Sequence, residues 1–356
     1  MDKASTLVIS LPKDLDAVLI TSPENRLYFT GFSSSAGILL LTRNTFYFLV
    51  DFRYIEAAKR NIRDMKLVKL INEEEQLSKI FRQMNLKRVA VEAEKMTVSA
   101  LNTLHTRFPQ VEFVADGRAD EQITRLRMRK TDYELDCIRA AQKITDAAFA
   151  NLLEFIRAGR TEREIAARLE YEMKLLGSEE PAFSTICVSG PNSSLPHGVP
   201  GNRVLAQGDF LTLDFGAKQK GYCSDMTRTV AIGQISEEQQ RVYDTVLNAQ
   251  LHALQAVRPG VECKKIDAVA RDIITAAGYG ESFGHGLGHS LGVEIHEDPR
   301  YNPVCETLTE PGMVITVEPG IYLENQFGVR IEDMALVTAE GHENLTHSPK
   351  ELICVR

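Results

Sequence analysis

Residues 209–229, Asp-Phe-Leu-Thr-Leu-Asp-Phe-Gly-Ala-Lys-Gln-Lys-Gly-Tyr-Cys-Ser-Asp-Met-Thr-Arg-Thr, constrain the fold more than any other stretch. They read as two β-runs joined by a Lys/Gln/Gly turn, each run placing one aspartate, Asp214 or Asp225, among apolar or hydroxyl neighbours. Side chains on a strand alternate faces, so Leu211, Leu213 and Phe215 share one face while Thr212 and Asp214 share the other. With Gln219 and Lys220 as the loop residues, Asp214 and Asp225 become direct cross-strand partners, their β-carbons roughly 4.5–5.5 Å apart. Like charges that close destabilise a sheet unless a cation lies between them. The hairpin therefore predicts a metal ion, and further ligands elsewhere in the chain.

A chain of 356 residues exceeds the usual single-domain size, so two domains are expected. Hydrophobic residues at 44% and charged residues at 25% are ordinary for a globular protein with a substantial core. The formal net charge of −8, with no offsetting Lys/Arg block, argues against a nucleic-acid or anionic-membrane partner. The N-terminal run has too short an apolar stretch for a signal peptide, and no segment is apolar over the length a membrane helix needs. Six scattered cysteines with no C-x-x-C pair read as free thiols in a reducing compartment. A cytoplasmic location is expected.

The first part of the chain alternates strand-like segments (17–20, 37–42, 45–50, 66–71, 88–91 and 111–114) with helix-like ones (53–62, 75–84 and 97–108). That alternation predicts an α/β layer domain with a parallel or mixed sheet. Its one histidine, His105, lies in a helical segment and belongs to no cluster of catalytic type. A charged stretch, 116–130, marks the change of pattern, and the boundary is placed near residue 124, giving domains 1–124 and 125–356. Thr131-x-x-Glu134, Thr161-x-x-Glu164 and Ser236-x-x-Gln239 are capping boxes that open long helices. A further helix over 264–277 ends at Gly278. The order helix, helix, β-hairpin thus occurs twice, the second hairpin pairing 313–317 with 329–336.

That second hairpin carries a second pair of acids, Glu318 and Glu332, each at the end of an apolar run. Buried unpaired carboxylates are costly, so these too ask for a cation or a proton. Between the hairpins lie His285, His289 and His296, three of the chain's eight histidines within twelve residues. Glycines at 284, 286 and 288 make a helical zinc-protease pair improbable, whereas an extended segment still puts His285 and His289 on one face. Singly, a hairpin aspartate is more often a turn residue and a glycine-flanked histidine a satisfied loop residue. Cys223 has no partner motif and is read as a neighbour. Together, four carboxylates and an imidazole form a hard, oxygen-rich donor set whose charge matches two divalent cations better than one. Mn²⁺ or Co²⁺ suits it best, with Zn²⁺ or Fe²⁺ admissible.

The segments Leu-Asp-Phe-Gly…Ser-Asp-Met-Thr-Arg-Thr, Gly-His-Gly-Leu-Gly-His-Ser-Leu-Gly, Val-Glu-Pro-Gly-Ile-Tyr and Val-Arg-Ile-Glu-Asp resemble the five-ligand signature of the pita-bread metallopeptidases. Within these the chain is similar to the aminopeptidase P/prolidase branch, whose members cleave Xaa-Pro bonds. The stretch Asn-Arg-Leu-Tyr-Phe-Thr-Gly-Phe…Asp-Phe-Arg-Tyr resembles that branch's creatinase-type N-terminal domain. The implied fold class is α+β/α/β, a C-terminal pita-bread (creatinase/aminopeptidase) domain preceded by a smaller α/β creatinase-type domain.

The resemblance implies that Asp214 binds one metal, that Asp225 and Glu332 bridge both, and that His289 and Glu318 complete the set. It makes His197, in Asn-Ser-Ser-Leu-Pro-His-Gly, a substrate-side histidine that assists proton transfer. It places His285 next to the scissile carbonyl, His296 in the substrate pocket, and Arg330 where it orients acids or substrate. The implied hydrolase uses a hydroxide bridging two divalent metals to attack the carbonyl carbon of Xaa, with Glu318 shuttling the proton. Peptides with proline at the second position are the implied substrates, taken either by an Xaa-Pro aminopeptidase or by an Xaa-Pro dipeptidase, and a homodimer is the implied assembly. The alternatives are a non-catalytic peptide-binding member of the same fold and a metal-free creatinase-like amidinohydrolase; the intact ligand pattern speaks against both.

Overall fold

The computed structural model describes residues 2–355. The chain separates into two compact units, Met1–Arg127 and Met128–Arg356.

The first unit is built on a six-stranded mixed sheet of β1 (Ala17–Ile20), β2 (Ile38–Thr42), β3 (Phe46–Val50), β4 (Lys66–Lys69), β5 (Arg88–Val91) and β6 (Glu112–Val114), in the order β4-β3-β2-β1-β5-β6. Its helices are α1 (Lys3–Ser10), α2 (Pro23–Thr30), α3 (Ile55–Asn61), α4 (Glu73–Gln83), α5 (Val98–Arg107) and α6 (Arg118–Met128). All six expected strands and three expected helices are present, and α1, α2 and α6 are additional. Helix α2 carries its own punctuation: Ser22 caps it, Pro23 opens it, and Gly31 closes it at φ 65°. Helix α6 occupies the charged stretch, burying only one stripe that includes Ala119, Ile123 and Arg127. Leu19, Leu40, Leu49, Val89, Phe81, Phe108 and Phe113 form the core on one side of the sheet.

The second unit runs helix, helix, hairpin twice. The first pass comprises α7 (Asp132–Leu153), α8 (Glu162–Leu175), β7 (Ile186–Ser189) and the run β8 (Phe210–Phe215), β9 (Lys218–Gln219), β10 (Tyr222–Cys223) and β11 (Met226–Ile232). The second comprises α9 (Glu237–Ala256), α10 (Cys263–Ala276), β12 (Gly288–Ser290), β13 (Glu297–Tyr301), β14 (Val314–Val317), β15 (Gly320–Leu323), β16 (Phe327–Arg330), β17 (Asp333–Val337) and β18 (His342–Asn344), with β19 (Cys354–Val355) closing the chain. All three capping boxes form, each satisfying two helix-end N–H groups and contributing about 1 kcal/mol.

Each hairpin turns one face to its own helix pair. Leu211, Leu213 and Phe215 pack with Phe149, Leu152 and Leu169 of α7 and α8. Val317, Ile321, Val329 and Ile331 pack with Val246, Ala253, Ile266 and Ala270 of α9 and α10. The opposite faces meet each other, where Thr229 Oγ1 donates to the Arg330 carbonyl (3.0 Å) and Glu332 N donates to the Thr227 carbonyl (3.1 Å). This apposition places the acids of both hairpins together.

Two register expectations are corrected. Asp214 faces Thr227, not Asp225, because the tight turn is Lys220–Gly221 with both residues at positive φ (49° and 76°). A two-residue turn of that kind suits the strand twist and favours glycine at its second position, which overrides a turn at Gln219–Lys220. The shift is an even number of residues, so both aspartates keep the inner face. In the second hairpin, β14 pairs with β17 (Val317 with Asp333), whereas Val329 and Arg330 pair with Ile321 and Gly320 in a separate two-stranded ladder. The interruption falls at Glu318–Pro319 and Ile331–Glu332. Pro319 lacks the N–H a continuous ladder would need. The first hairpin breaks at Gly216–Ala217 and Ser224–Asp225 in the same manner.

Gly216 is required at that break, since a β-carbon there would lie 1.8 Å from the Ser224 carbonyl oxygen. Its φ is not in the left-handed region, so Gly216→Ala isolates the steric effect. We expect a loss of about 2–3 kcal/mol, read as a lower urea midpoint in equilibrium unfolding. An unchanged midpoint would count against the close approach.

Candidate metal centre

Three of the four inner-face acids sit at ladder breaks, and Asp214 lies at the neighbouring end of β8. Asp225, His289 and Glu332 each present a ligand atom within 4.8 Å of the others. His289 Nε2 is 3.5 Å from Asp225 Oδ2 and 3.3 Å from Glu318 Oε1. Its Nδ1 faces the Ser290 carbonyl at 3.1 Å, which assigns the proton to Nδ1 and aims the Nε2 lone pair at the acids. The carboxylates are held on one side each. Arg330 Nη2 donates to Asp214 Oδ2 (2.6 Å), Thr227 Oγ1 to Glu332 Oε2 (2.7 Å) and Thr316 Oγ1 to Glu318 Oε1 (3.0 Å). The second oxygens of Asp214 and Glu332, with Oδ1 of Asp225, are buried and have no partner among the described residues.

Buried polar atoms normally find partners, so three orphaned carboxylate oxygens around a lone pair define a cation site. The donors are hard oxygens plus one imidazole, which fits divalent metal. Without a cation the charges are resisted. Burial, and then the charge of Glu332, pushes Asp225 well above the carboxylate range, and burial with the charge of Glu318 does the same to Glu332. Burial pushes Glu318 up to about 8 against the pull of the Arg330 guanidinium. Burial, with His296 nearby, lowers His289 to about 3, so its contacts with Asp225 and Glu318 are not an ion pair.

The centre opens into a cavity of about 510 Å³ lined by all the sequence-selected residues, namely His197, Asp214, Asp225, His285, His289, His296, Glu318, Arg330 and Glu332. His197 and His296 are exposed at its wall, and the His296 ring stands edge-on to His289 at 4.4 Å between centroids. His285 Nδ1 is 2.8 Å from the Gly286 carbonyl and its Nε2 is 2.9 Å from the Tyr322 hydroxyl. Burial lowers the His285 pKa to about 4, so it is neutral near pH 7. Tyr322 also accepts from Arg330 Nη1 at 2.8 Å. Arg330 is therefore shared between Asp214, Tyr322 and Thr227. Cys223 is buried outside the lining, its thiol pushed up to about 12 by burial.

Tyr322, Thr227 and Thr316 escaped the sequence reading. The signal was available for the threonines, since each stands two residues from an acid and so shares its face. Tyr322 ends the quoted Val-Glu-Pro-Gly-Ile-Tyr segment but has no marker of its hydrogen bonds.

A pair of helix-backed hairpins meeting over a buried carboxylate-imidazole cluster defines a metal-dependent hydrolytic enzyme. Residues 136–339 match the model of metallopeptidase family M24, and residues 12–129 match the Creatinase/Prolidase N-terminal domain. The chain belongs to metallopeptidase family M24, and its fold class is the one expected from the sequence. It is 40% identical to the uncharacterized peptidase YqhT of Bacillus subtilis, covering 95% of this chain and 96% of that one. It is 38% identical to the Xaa-Pro dipeptidase of Pyrococcus horikoshii over 99% of each. Among solved structures it matches an Xaa-Pro dipeptidase from Bacillus anthracis (TM-score 0.94, 39% identity, 99% of each chain). An X-Pro aminopeptidase from Thermotoga maritima matches at TM-score 0.93 and 37% identity, over 99% of this chain and 100% of that one. Among the described residues, no helix is long and apolar enough to cross a membrane.

The pH dependence of the metal-free protein follows from these shifts. An acid whose folded pKa exceeds its unfolded value, about 4.3 for glutamate, destabilises the fold as pH rises, because the folded chain keeps protons the unfolded chain has lost. The lowered histidines act in the opposite sense, but only below about pH 6.5, where the unfolded chain takes up protons. From there to pH 8 the acids act alone, with Glu318 at about 8 and Asp225 and Glu332 displaced the same way. Thermal scans in chelator should show Tm falling across that window, and Mn²⁺ should remove the slope by releasing the protons. A rising Tm in chelator would contradict the assignment.

Proposed function

We propose that this chain is a metal-dependent exopeptidase that hydrolyses Xaa-Pro bonds, with Xaa-Pro dipeptides as substrate. The observation that carries this reading is the set of orphaned carboxylate oxygens around His289 at the base of the cavity. Likeness to proteins named Xaa-Pro dipeptidase supports the proline preference. In this reading Asp214, Asp225, His289, Glu318 and Glu332 would together hold the divalent metal. Mn²⁺ is the ion best suited to the oxygen-rich donors, with Co²⁺, Zn²⁺ or Fe²⁺ as substitutes. The expected homodimer and cytoplasmic location belong to the same proposal.

Bound divalent metal supplies a Lewis acid for the scissile carbonyl and a nucleophile near neutral pH. The chain's own groups do the rest. Glu318, held at the base of the cavity by Thr316 Oγ1, would take a proton from the attacking water and pass it toward the proline nitrogen. Neutral His285, next to the scissile carbonyl, is kept in orientation by Tyr322. His197 assists proton transfer from the cavity wall, His296 lines the substrate pocket, and Arg330 holds Asp214 in line. Arg300 lines the same cavity, half exposed, and among the described residues its one ion pair is a 4.0 Å contact with Asp298. Unlike Arg330, which is committed to Asp214 and Tyr322, it is available to pair with the carboxylate that ends a dipeptide.

Three outcomes test the proposal. Asp225→Asn should abolish turnover and lower the bound-metal count while leaving the far-ultraviolet spectrum unchanged; retained activity would contradict it. Ala-Pro should be cleaved under Mn²⁺ and Ala-Pro-Ala poorly. Arg300→Gln should raise KM for Ala-Pro by about tenfold or more, equivalent to losing one charge-assisted hydrogen bond. Faster cleavage of the tripeptide would make the chain an aminopeptidase instead.

A further inference from the structure

Residues 283–287, which carry His285, lie outside regular structure. Glycines at 284, 286 and 288 flank the histidine, and no regular structure begins before Gly288. A β-carbon at Gly284 would meet nothing within 4 Å, so close packing does not immobilise that residue. Glu318 N holds the Leu287 carbonyl (2.8 Å) from one side, and α10 supplies the restraint from the other. Asp267 and Arg271, four residues apart on one helix face, form a two-toothed ion pair (Nε to Oδ2 2.8 Å, Nη2 to Oδ1 2.9 Å). From that pair Arg271 Nη1 donates to the Phe283 carbonyl (3.0 Å) and Nη2 to the His285 carbonyl (2.8 Å), while Asp267 Oδ1 accepts from Leu287 N (3.0 Å). The guanidinium also lies 4.4 Å from the centre of the Phe283 ring, whose partner, edge to face at 5.1 Å, is the His285 imidazole.

We propose that Asp267 and Arg271 are positioning residues for His285, setting where its imidazole meets the substrate. The proposal rests on the reading of His285 as a group that touches the scissile unit. All three backbone bonds fall on residues 283, 285 and 287, one on the histidine itself and one two residues to either side. The Asp267 side chain is 1% exposed and that of Arg271 27%, and neither lines the cavity. They therefore act through the loop and not on substrate. Lysine cannot replace the guanidinium, because one ammonium cannot hold a carboxylate in two places and two carbonyls together.

The test uses the Mn²⁺-loaded full chain with Ala-Pro and four proteins: the parent, Arg271→Ala, His285→Ala and the double variant. Arg271→Ala should lower kcat by on the order of 10²-fold, with the bound-metal count unchanged because the metal-side acids sit on the hairpins. Non-denaturing guanidinium ion should restore part of that loss. His285→Ala should lower kcat by itself, and the double variant should be no worse than His285→Ala, since the two losses share one route. Multiplying losses would show a general structural role and overturn the clamp alone. Undiminished kcat in His285→Ala would overturn the reading of the site and the clamp with it. Where Arg271→Ala fails to fold, Arg271→Lys serves instead and should show the same non-additivity.

Discussion

The mutual repulsion of buried carboxylates is the constraint on which the second unit depends. Apolar packing settles the orientation of both hairpins: Leu211, Leu213 and Phe215 face one helix pair, and Val317, Ile321, Val329 and Ile331 face the other. Each such side chain contributes roughly 1.5–3 kcal/mol on burial, and an unpaired buried charge costs several kcal/mol. Several apolar contacts therefore outweigh the repulsion and drive the acids together. What they leave behind is a set of oxygens without partners, and a divalent cation is the group that satisfies them.

The ladder breaks convert this constraint into geometry. A continuous strand would tie the backbone beside each acid into sheet hydrogen bonds and fix its side chain perpendicular to the sheet. At Asp225, Glu318 and Glu332 the pairing lapses, so the carboxylates can converge. The backbone is then held by other means, Glu332 N on the Thr227 carbonyl and Glu318 N on the Leu287 carbonyl. Behind them, Arg228 pairs with the fully buried Asp333 (2.8 Å) and donates to the Glu332 carbonyl (2.5 Å). The acids are thus free at the tip and fastened at the root, an arrangement that keeps a donor set poised without closing its hydrogen bonds.

How much of this was legible depended on which physical rule carried each feature. Period-two alternation survives any even shift of register, so the inner-face placement of Asp214 and Asp225 was readable although their pairing was not. The pairing hinged on Lys220 accepting positive φ beside Gly221, a local preference weaker than the alternation it modifies. Capping boxes at 131, 161 and 236 were readable because they are written in adjacent residues. Helix α6 was hidden because its apolar stripe is sparse among charges, while α2 was hidden by brevity despite its caps. The roles of Tyr322 and Asp267 were not readable at all, since their bonds reach residues 37 and 20 positions away.

The two halves of the unit match in their acids but not in their histidines, and that asymmetry follows from how each group is held. A carboxylate on a strand inherits its position from the register, which the cores on the outer faces fix. His285 lies outside any ladder, in a glycine-rich segment that by itself would sample many conformations. His289, by contrast, enters β12, where its N–H is taken by Thr316 Oγ1, the same hydroxyl that holds Glu318. One histidine is bound to the metal-side acids by a shared threonine; the other is tethered by a helix-borne ion pair. Glycine between them supplies the break that lets two imidazoles, four residues apart, answer to different supports.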